Sequence, residues 1–356
     1  MNNQTLKIVE IGEKSLNWIK NIGLVLVTTV ITLAIVEIIL RVFLGDTLYS
    51  GKANRSLYYS KPTFALTKNG AVHYAPNTPL RSLAIYYNKF EYETKHHTNN
   101  LGFISDVNYT KEDKKGIIFL GDSFTAGVGS TTPWLNTLNH KYKDINLYSF
   151  GVTGTGQENF YRLFENFQDS LNYDTVVILS ISDDLHRKLW YPIALEDRLY
   201  FCREKSTKEQ CLKHYPIMHL IDYNLDRETL LVPDELYLKK AYRLLKTRVH
   251  HQLQNKKVKK YTPPKHIDIK YIADIKKLAD RLNKKVIFIH LPEKGEIERR
   301  EYRYDIAQEI RDLGVEYYPI LNSYRWDKSM YHIHDGHPND KGYKHISKIV
   351  EEILKL

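Results

Sequence analysis

Two short stretches hold the residue types that acyl-transfer chemistry needs. Gly121-Asp122-Ser123-Phe124-Thr125-Ala126-Gly127 follows the apolar run of residues 116–120. A serine at the carboxyl end of a strand sits where α/β sheets place their ligands. Gly121 permits a sharp turn, so that the N–H of Ser123 points into the same space as its hydroxyl. This pairs a nucleophilic oxygen with a donor for the oxyanion it creates. Far along the chain, Asp335-Gly336-His337-Pro338-Asn339 forms a polar stretch before the last helical pattern. A neutral imidazole can accept the serine proton, and a carboxylate two residues away can hold that imidazole in the right tautomer. Either stretch alone also reads as an ordinary turn and helix start. Together they make Ser123, His337 and Asp335 the candidate catalytic set. A rival reading takes His332, His334, Asp335 and His337 as metal ligands. It leaves the Ser123 stretch without a purpose, so the expected site uses no metal and no cofactor.

These residues need a scaffold that brings the two stretches together. Short apolar runs occur at 116–120, 145–151, 175–182, 285–291 and 315–321. Continuous apolar strands are those covered on both faces, as in a parallel sheet. Helical spacing appears between them at 157–171, 267–282, 297–313 and 341–356. Strand–helix alternation predicts a three-layer α/β domain over 115–356 with right-handed crossovers. Residues 45–114, rich in Tyr and Asn, read as an extended lead-in with short strands. The stretch 185–262 interrupts the alternation and reads as an insertion that caps the sheet. It carries a basic run, Lys246 to Lys260, suited to a solvated helix face or to anionic headgroups. The pairs His96-His97 and His250-His251 read as solvated surface residues.

The 356 residues are 42% apolar and 26% charged, the balance of a folded protein. The formal net charge of +10 favours anionic partners. Nucleic acid is not expected, because no reading element accompanies the charge. One segment departs from a soluble composition. Residues 22–44 form an apolar stretch broken only by Glu37 and Arg41, roughly 34 Å long as a helix. That crosses a bilayer core of about 30 Å. Glu37 and Arg41, four apart, can pair on one helical face. A tail, 1–21, precedes the span. No small-residue cleavage site follows it, so an uncleaved anchor in the lipid bilayer is expected. Flanking positive charge is balanced and sets no orientation. Cys202 and Cys211, separated by a short polar stretch, suit a disulfide in an oxidising compartment. This places the body outside the cytoplasm, on the periplasmic or cell-surface side.

The ordered blocks resemble the SGNH (GDSL-type) hydrolase superfamily, and more narrowly its bacterial branch with one N-terminal membrane helix. Glu37-Ile38-Ile39-Leu40-Arg41 resembles that branch's membrane-exit motif, and Thr98-Asn99-Asn100-Leu101-Gly102-Phe103 its lead-in to the catalytic domain. Gly121-Asp122-Ser123 resembles the first block, residues 151–156 the second, and Asp335 with His337 the last. The resemblance implies an α/β/α flavodoxin-like sandwich, a Ser nucleophile, a His base and ester substrates. It also implies an oxyanion hole from Ser123, Gly154 and the residue at position 183. Here the chain departs from the pattern: Ser182-Asp183-Asp184 stands where Gly-Asn-Asp is usual. An ionised Asp183 cannot donate to an oxyanion. Either it is protonated, or Gln157 or Asn159 substitutes, or the enzyme is weak or inactive.

The expected function is therefore a membrane-anchored serine esterase or O-acyltransferase. Its expected substrates are acylated glycans of the cell envelope or other esters, with a membrane acyl-donor protein as a further partner. The competing expectation is a catalytically degenerate domain serving as scaffold or binding subunit of a membrane complex.

Overall fold

A computed structural model describes residues 3–44, 55–203, 207, 209–211, 217–232, 236–253 and 267–356. The chain divides into two units, 1–54 with 231–260, and 55–230 with 261–356.

The first unit is built on a helix, Asn3–Ile39, that ends in a π-helical turn, Leu40–Leu44. Lys20–Leu44 is long and apolar enough to cross a membrane, with a mean hydropathy of 2.6. Arg41 Nε donates to Glu37 Oε1 at 2.9 Å, the pairing that their spacing predicts. A second helix, Tyr237–Leu253, belongs to the same unit.

Among the described residues the second unit holds thirteen strands. Five precede the Ser123 stretch: β1 (Arg55–Ser60), β2 (Phe64–Leu66), β3 (Val72–Tyr74), β4 (Pro79–Tyr86) and β5 (Lys89–His97). β6 (Lys115–Gly121), β7 (Ile145–Gly151) and β8 (Thr175–Ser180) follow. Then come β9 (Trp190–Leu195), β10 (Arg198–Arg203), β11 (Ile217–Ile221), β12 (Lys285–His290) and β13 (Glu316–Pro319).

One sheet is wholly parallel, in the order β13-β12-β8-β6-β7. Renumbered along the chain this is 2-1-3-4-5, the flavodoxin-like doubly wound order. Its apolar strands are explained by cover on both faces. Ile118 and Leu120 pack with Phe160, Phe164, Ile272 and Ile275 of helices Gln157–Phe167 and Lys270–Arg281. Ile117 and Phe119 point the other way, to Trp134, Leu138, Ile346 and Val350 of helices Trp134–Lys141 and Asp340–Leu354. The expected three layers are therefore present.

The predicted helix over 297–313 is two short helices, Lys294–Arg299 and Ala307–Asp312. Arg300 stops the first at φ 55°, a left-handed cap, and Glu296 turns inward to accept the N–H of Arg303.

The lead-in is more ordered than its composition suggests. β4 and β5 form an eight- and nine-residue hairpin joined by Tyr87 and Asn88, both with positive φ. That is the backbone of a type I′ turn. Two positive-φ residues suit the right-handed twist of the strands, but Tyr-Asn is not the usual Asn-Gly signal. The hairpin joins a six-stranded sheet, β5-β4-β1-β11-β10-β9, whose last three members come from the 185–262 stretch. Within it only β1 and β11 run parallel. Cys202 on β10 is disulfide-bonded to Cys211, Cα to Cα 5.2 Å, and both are buried. His96, expected at the surface, instead points inward from β5, and burial pushes its imidazole down to about 4. The side chains of His250 and His251 and the basic residues 256–260 lie outside the described ones.

Candidate active site

β6 ends at Gly121, which must be glycine for steric reasons. A Cβ there would stand 2.4 Å from the Leu179 carbonyl oxygen and 1.9 Å from Thr125 Oγ1. The close approach lets the chain turn at once into the short helix Ser123–Ala126. Asp122 caps that helix: its Oδ1 accepts the Phe124 N–H at 2.8 Å. Gly127, at φ 76°, closes it. Ser123 is thereby held at the edge of the parallel sheet, with its side chain largely covered.

The other half of the site hangs on the loop before the last helix. Tyr331 and Pro338 form a bridge, and the His332 N–H donates to the His337 carbonyl at 3.1 Å. Asn339 caps the helix Asp340–Leu354, accepting from the Lys341 and Gly342 N–H groups. Inside this closed loop Asp335 Oδ1 accepts the backbone N–H of His337 at 3.1 Å and contacts its ring Nδ1 at 2.6 Å. One carboxylate oxygen thus makes an Asx turn and orients the imidazole, which is why a two-residue spacing suffices.

The two halves meet. His337 Nε2 lies 2.8 Å from Ser123 Oγ. With Nδ1–H given to Asp335, Nε2 is the lone-pair nitrogen and accepts the serine hydroxyl, an assignment made from the bonding network. Two contacts hold the halves in register. Tyr343 Oη donates to the Val128 carbonyl at 2.9 Å, and His332 Nε2 bonds the Gly129 carbonyl at 2.8 Å.

Electrostatics favour the same roles. Burial raises the Asp335 carboxyl, but the charge and hydrogen bonds of His337 outweigh it and hold the group well below the carboxylate range. Burial likewise opposes charge on His337, and Asp335 outweighs that, leaving the imidazole above its ordinary value.

Gly154 lies in the loop after β7 at φ 72°, and a Cβ there would meet nothing within 4 Å. The glycine serves its left-handed backbone and leaves open space beside it. Tyr74 of β3 steadies this loop, its hydroxyl accepting the Thr153 N–H at 3.1 Å.

Asp183 does not take the third donor's place. It pairs with Arg303 and, at 3.4 Å, with Arg187. Burial raises its carboxyl, yet the two guanidinium groups prevail and hold it below the usual range. An ionised carboxylate accepts only. The proposed substitutes are also committed. Gln157 Nε2 donates to the Leu185 and Asp268 carbonyls, and Asn159 Nδ2 to the Val72 carbonyl.

Sequence reasoning missed Arg187, for which no motif gives a signal. Its Nη1 reaches Asp122 Oδ2 at 2.9 Å and Asp184 Oδ1 at 2.6 Å, and both carboxylates are fully buried. Asp122 Oδ2 in turn lies 3.2 Å from Ser123 Oγ. One cation therefore stands just behind Ser123. Removing one partner of a buried pair leaves uncompensated charge, at about 3–5 kcal/mol. Arg187→Ala is expected to lower the unfolding free energy by about that amount in urea titrations, and Arg187→Lys to recover only part of it.

The histidines beside the triad diverge. The His332 ring meets Tyr92 at a tilt, centroids 4.7 Å apart, while the backbone N–H of His334 donates to Glu91 at 2.8 Å and its ring lies against Tyr87. Among the described residues no group of three or more His, Cys, Asp or Glu converges as metal ligands would. The β4–β5 hairpin, supplying Tyr87, Glu91 and Tyr92, thus braces the loop that carries Asp335 and His337.

No family model and no curated protein matches the chain. Solved structures do. A lipase/acylhydrolase from Enterococcus faecalis is 13% identical, with 68% of this chain and 95% of that one covered and a TM-score of 0.33. A member of the lipolytic G-D-S-L family from Veillonella parvula is 12% identical, covering 68% and 98%, at 0.32. A GDSL-like lipase from Bacteroides thetaiotaomicron is 13% identical, covering 70% and 92%, at 0.32.

Proposed function

We propose that this protein is a membrane-anchored serine hydrolase or O-acyltransferase acting on acyl esters. The observation that carries the reading is the unbroken hydrogen-bond chain Asp335–His337–Ser123. Ser123 Oγ attacks the acyl carbon while His337 Nε2 takes its proton. The N–H groups of Ser123 and Gly154 face the negative oxygen of the tetrahedral intermediate. The bond to the alcohol then breaks, and His337 returns the proton to the departing oxygen. Water, or a hydroxyl of a glycan acceptor, resolves the acyl-enzyme by the same steps in reverse. Asp335 stays ionised throughout and stabilises the imidazolium that forms.

With Asp183 engaged by two arginines, this site works with two oxyanion donors. A missing third costs about 10²–10³ in rate. A modest turnover, limited by acyl transfer, is the corresponding expectation. The same observation is what favours the scaffold alternative.

The long apolar helix supports an anchor, and the disulfide supports an extracytoplasmic body. An acetyl group on a cell-envelope glycan is the substrate proposed, and a membrane acyl-donor protein the partner in the transferase case. A fluorophosphonate probe tests the chemistry without knowing the substrate. Full-length protein in detergent should gain one adduct, located on Ser123 by peptide mass spectrometry and lost on heat denaturation. A folded protein that stays unlabelled would instead be the scaffold.

A further inference from the structure

A carboxylate inside a membrane span is costly unless it is paired. Glu37 lies about 10 Å before Leu44 along the span. Arg41 donates to it at 2.9 Å. Two further donors come from elsewhere in the same unit: the backbone N–H groups of Tyr237 and Leu238, at 2.8 and 2.9 Å. Glu37 therefore caps the helix Tyr237–Leu253. The Arg41 guanidinium also lies over the Tyr237 ring, 4.9 Å from its centroid. The start of this helix is tied to the last turns of the candidate span, the end that an anchor would set toward the headgroups.

Its surface suits that depth. Leu238, Tyr242 and Leu245 follow one another at four and three residues, a single stripe. Tyr242 and Leu245 are 66% and 63% exposed, so protein does not cover them. One residue further on, Lys239, Arg243 and Lys246 repeat the spacing and are exposed too. An apolar stripe beside a cationic one is what a helix lying in the plane of a bilayer presents.

We propose that Tyr237–Leu253 is an interfacial helix that binds an anionic phospholipid leaflet, with Glu37 as the joint that sets its depth. The apolar stripe dips below the headgroups and the basic stripe meets their phosphates. The choice of lipid over a neighbouring protein rests on continuity with the span and on the three aligned cations. The inference rests on the reading that Lys20–Leu44 crosses a membrane, and the test separates the two.

Full-length protein is placed in lipid nanodiscs with an environment-sensitive fluorophore on Leu245→Cys or, separately, on Val30→Cys. Cys202 and Cys211 are tied in their disulfide and do not take the label. In discs containing phosphatidylglycerol, the Leu245→Cys label should be quenched by lipids spin-labelled near the headgroup. The Val30→Cys label should be quenched only by those labelled near the acyl end. Replacing Lys239, Arg243 and Lys246 by Gln should lower the docked-to-undocked ratio about fivefold per charge removed. A water-like Leu245→Cys signal beside a deep Val30→Cys signal overturns the interfacial helix and leaves the span standing. A Leu245→Cys label equally quenched in purely zwitterionic discs overturns the anionic leaflet and leaves insertion to the apolar stripe alone. A Val30→Cys label that no lipid quenches removes the span and this proposal with it.

Discussion

Ser123→Ala should reduce hydrolysis of p-nitrophenyl acetate by about 10⁴–10⁶-fold while leaving the fold unchanged. The magnitude is that of removing the nucleophile from a cooperative triad, where each member is worth nearly the whole assembly. The folded state loses little. The hydroxyl bonds only Asp122 and His337, and the helix cap is made by Asp122 rather than by Ser123. Its melting temperature should therefore stay within about 2 °C of the parent. The comparison is made on purified full-length proteins at equal concentration. Equal rates from parent and variant would assign any activity to surface groups and remove Ser123 from the chemistry.

Asp335→Asn should cost about 10³–10⁴-fold in kcat, because the amide can turn its N–H toward Nδ1 and so favour the wrong tautomer, with the ring proton on Nε2, and because the carboxylate charge is lost. The pH profile adds a readout that structural damage would not reproduce. In the parent, catalysis needs neutral His337, and Asp335 lifts its pKa against the opposing effect of burial. Activity should accordingly rise with pH through a value above about 6.5 and then level off. In Asp335→Asn the carboxylate charge is gone, and burial, with Arg187, disfavours the imidazolium against the lesser opposing effect of Asp122. The acid limb should move below about 6.5. A limb that stays in place would mean that another group controls the profile.

The parallel sheet was legible in the sequence because both of its faces are covered. Ile117 to Leu120 and Val176 to Leu179 are buried on either side, so period-two alternation is suppressed and an apolar run remains. The candidate set was legible as three residues on turns for a related reason: the cap beside Ser123 and the Asx turn at Asp335 and His337 can be read from neighbours. What stayed hidden depends on distant partners. Nothing local to Arg187 announces that Asp122, sixty-five positions earlier, needs its charge. The β4–β5 hairpin was obscured by its Tyr-Asn turn. Its role beside His332 and His334 follows only from tertiary packing. Asp183 looked like a defective donor, and Arg303, from the far side of the 185–262 stretch, accounts for its charge.

The order of the two catalytic stretches along the chain has a consequence for biosynthesis. Nucleophile and base are separated by 214 positions and are joined only when the loop at 331–338 closes over Gly129. A ribosome that has delivered Ser123 has made a hydroxyl with no base. On the proposed reading, reactivity switches on only after the stretch that carries His337 has been made and has closed over Gly129. On that same reading, chains stalled or clipped before His337 carry the hydroxyl without its base and are inert.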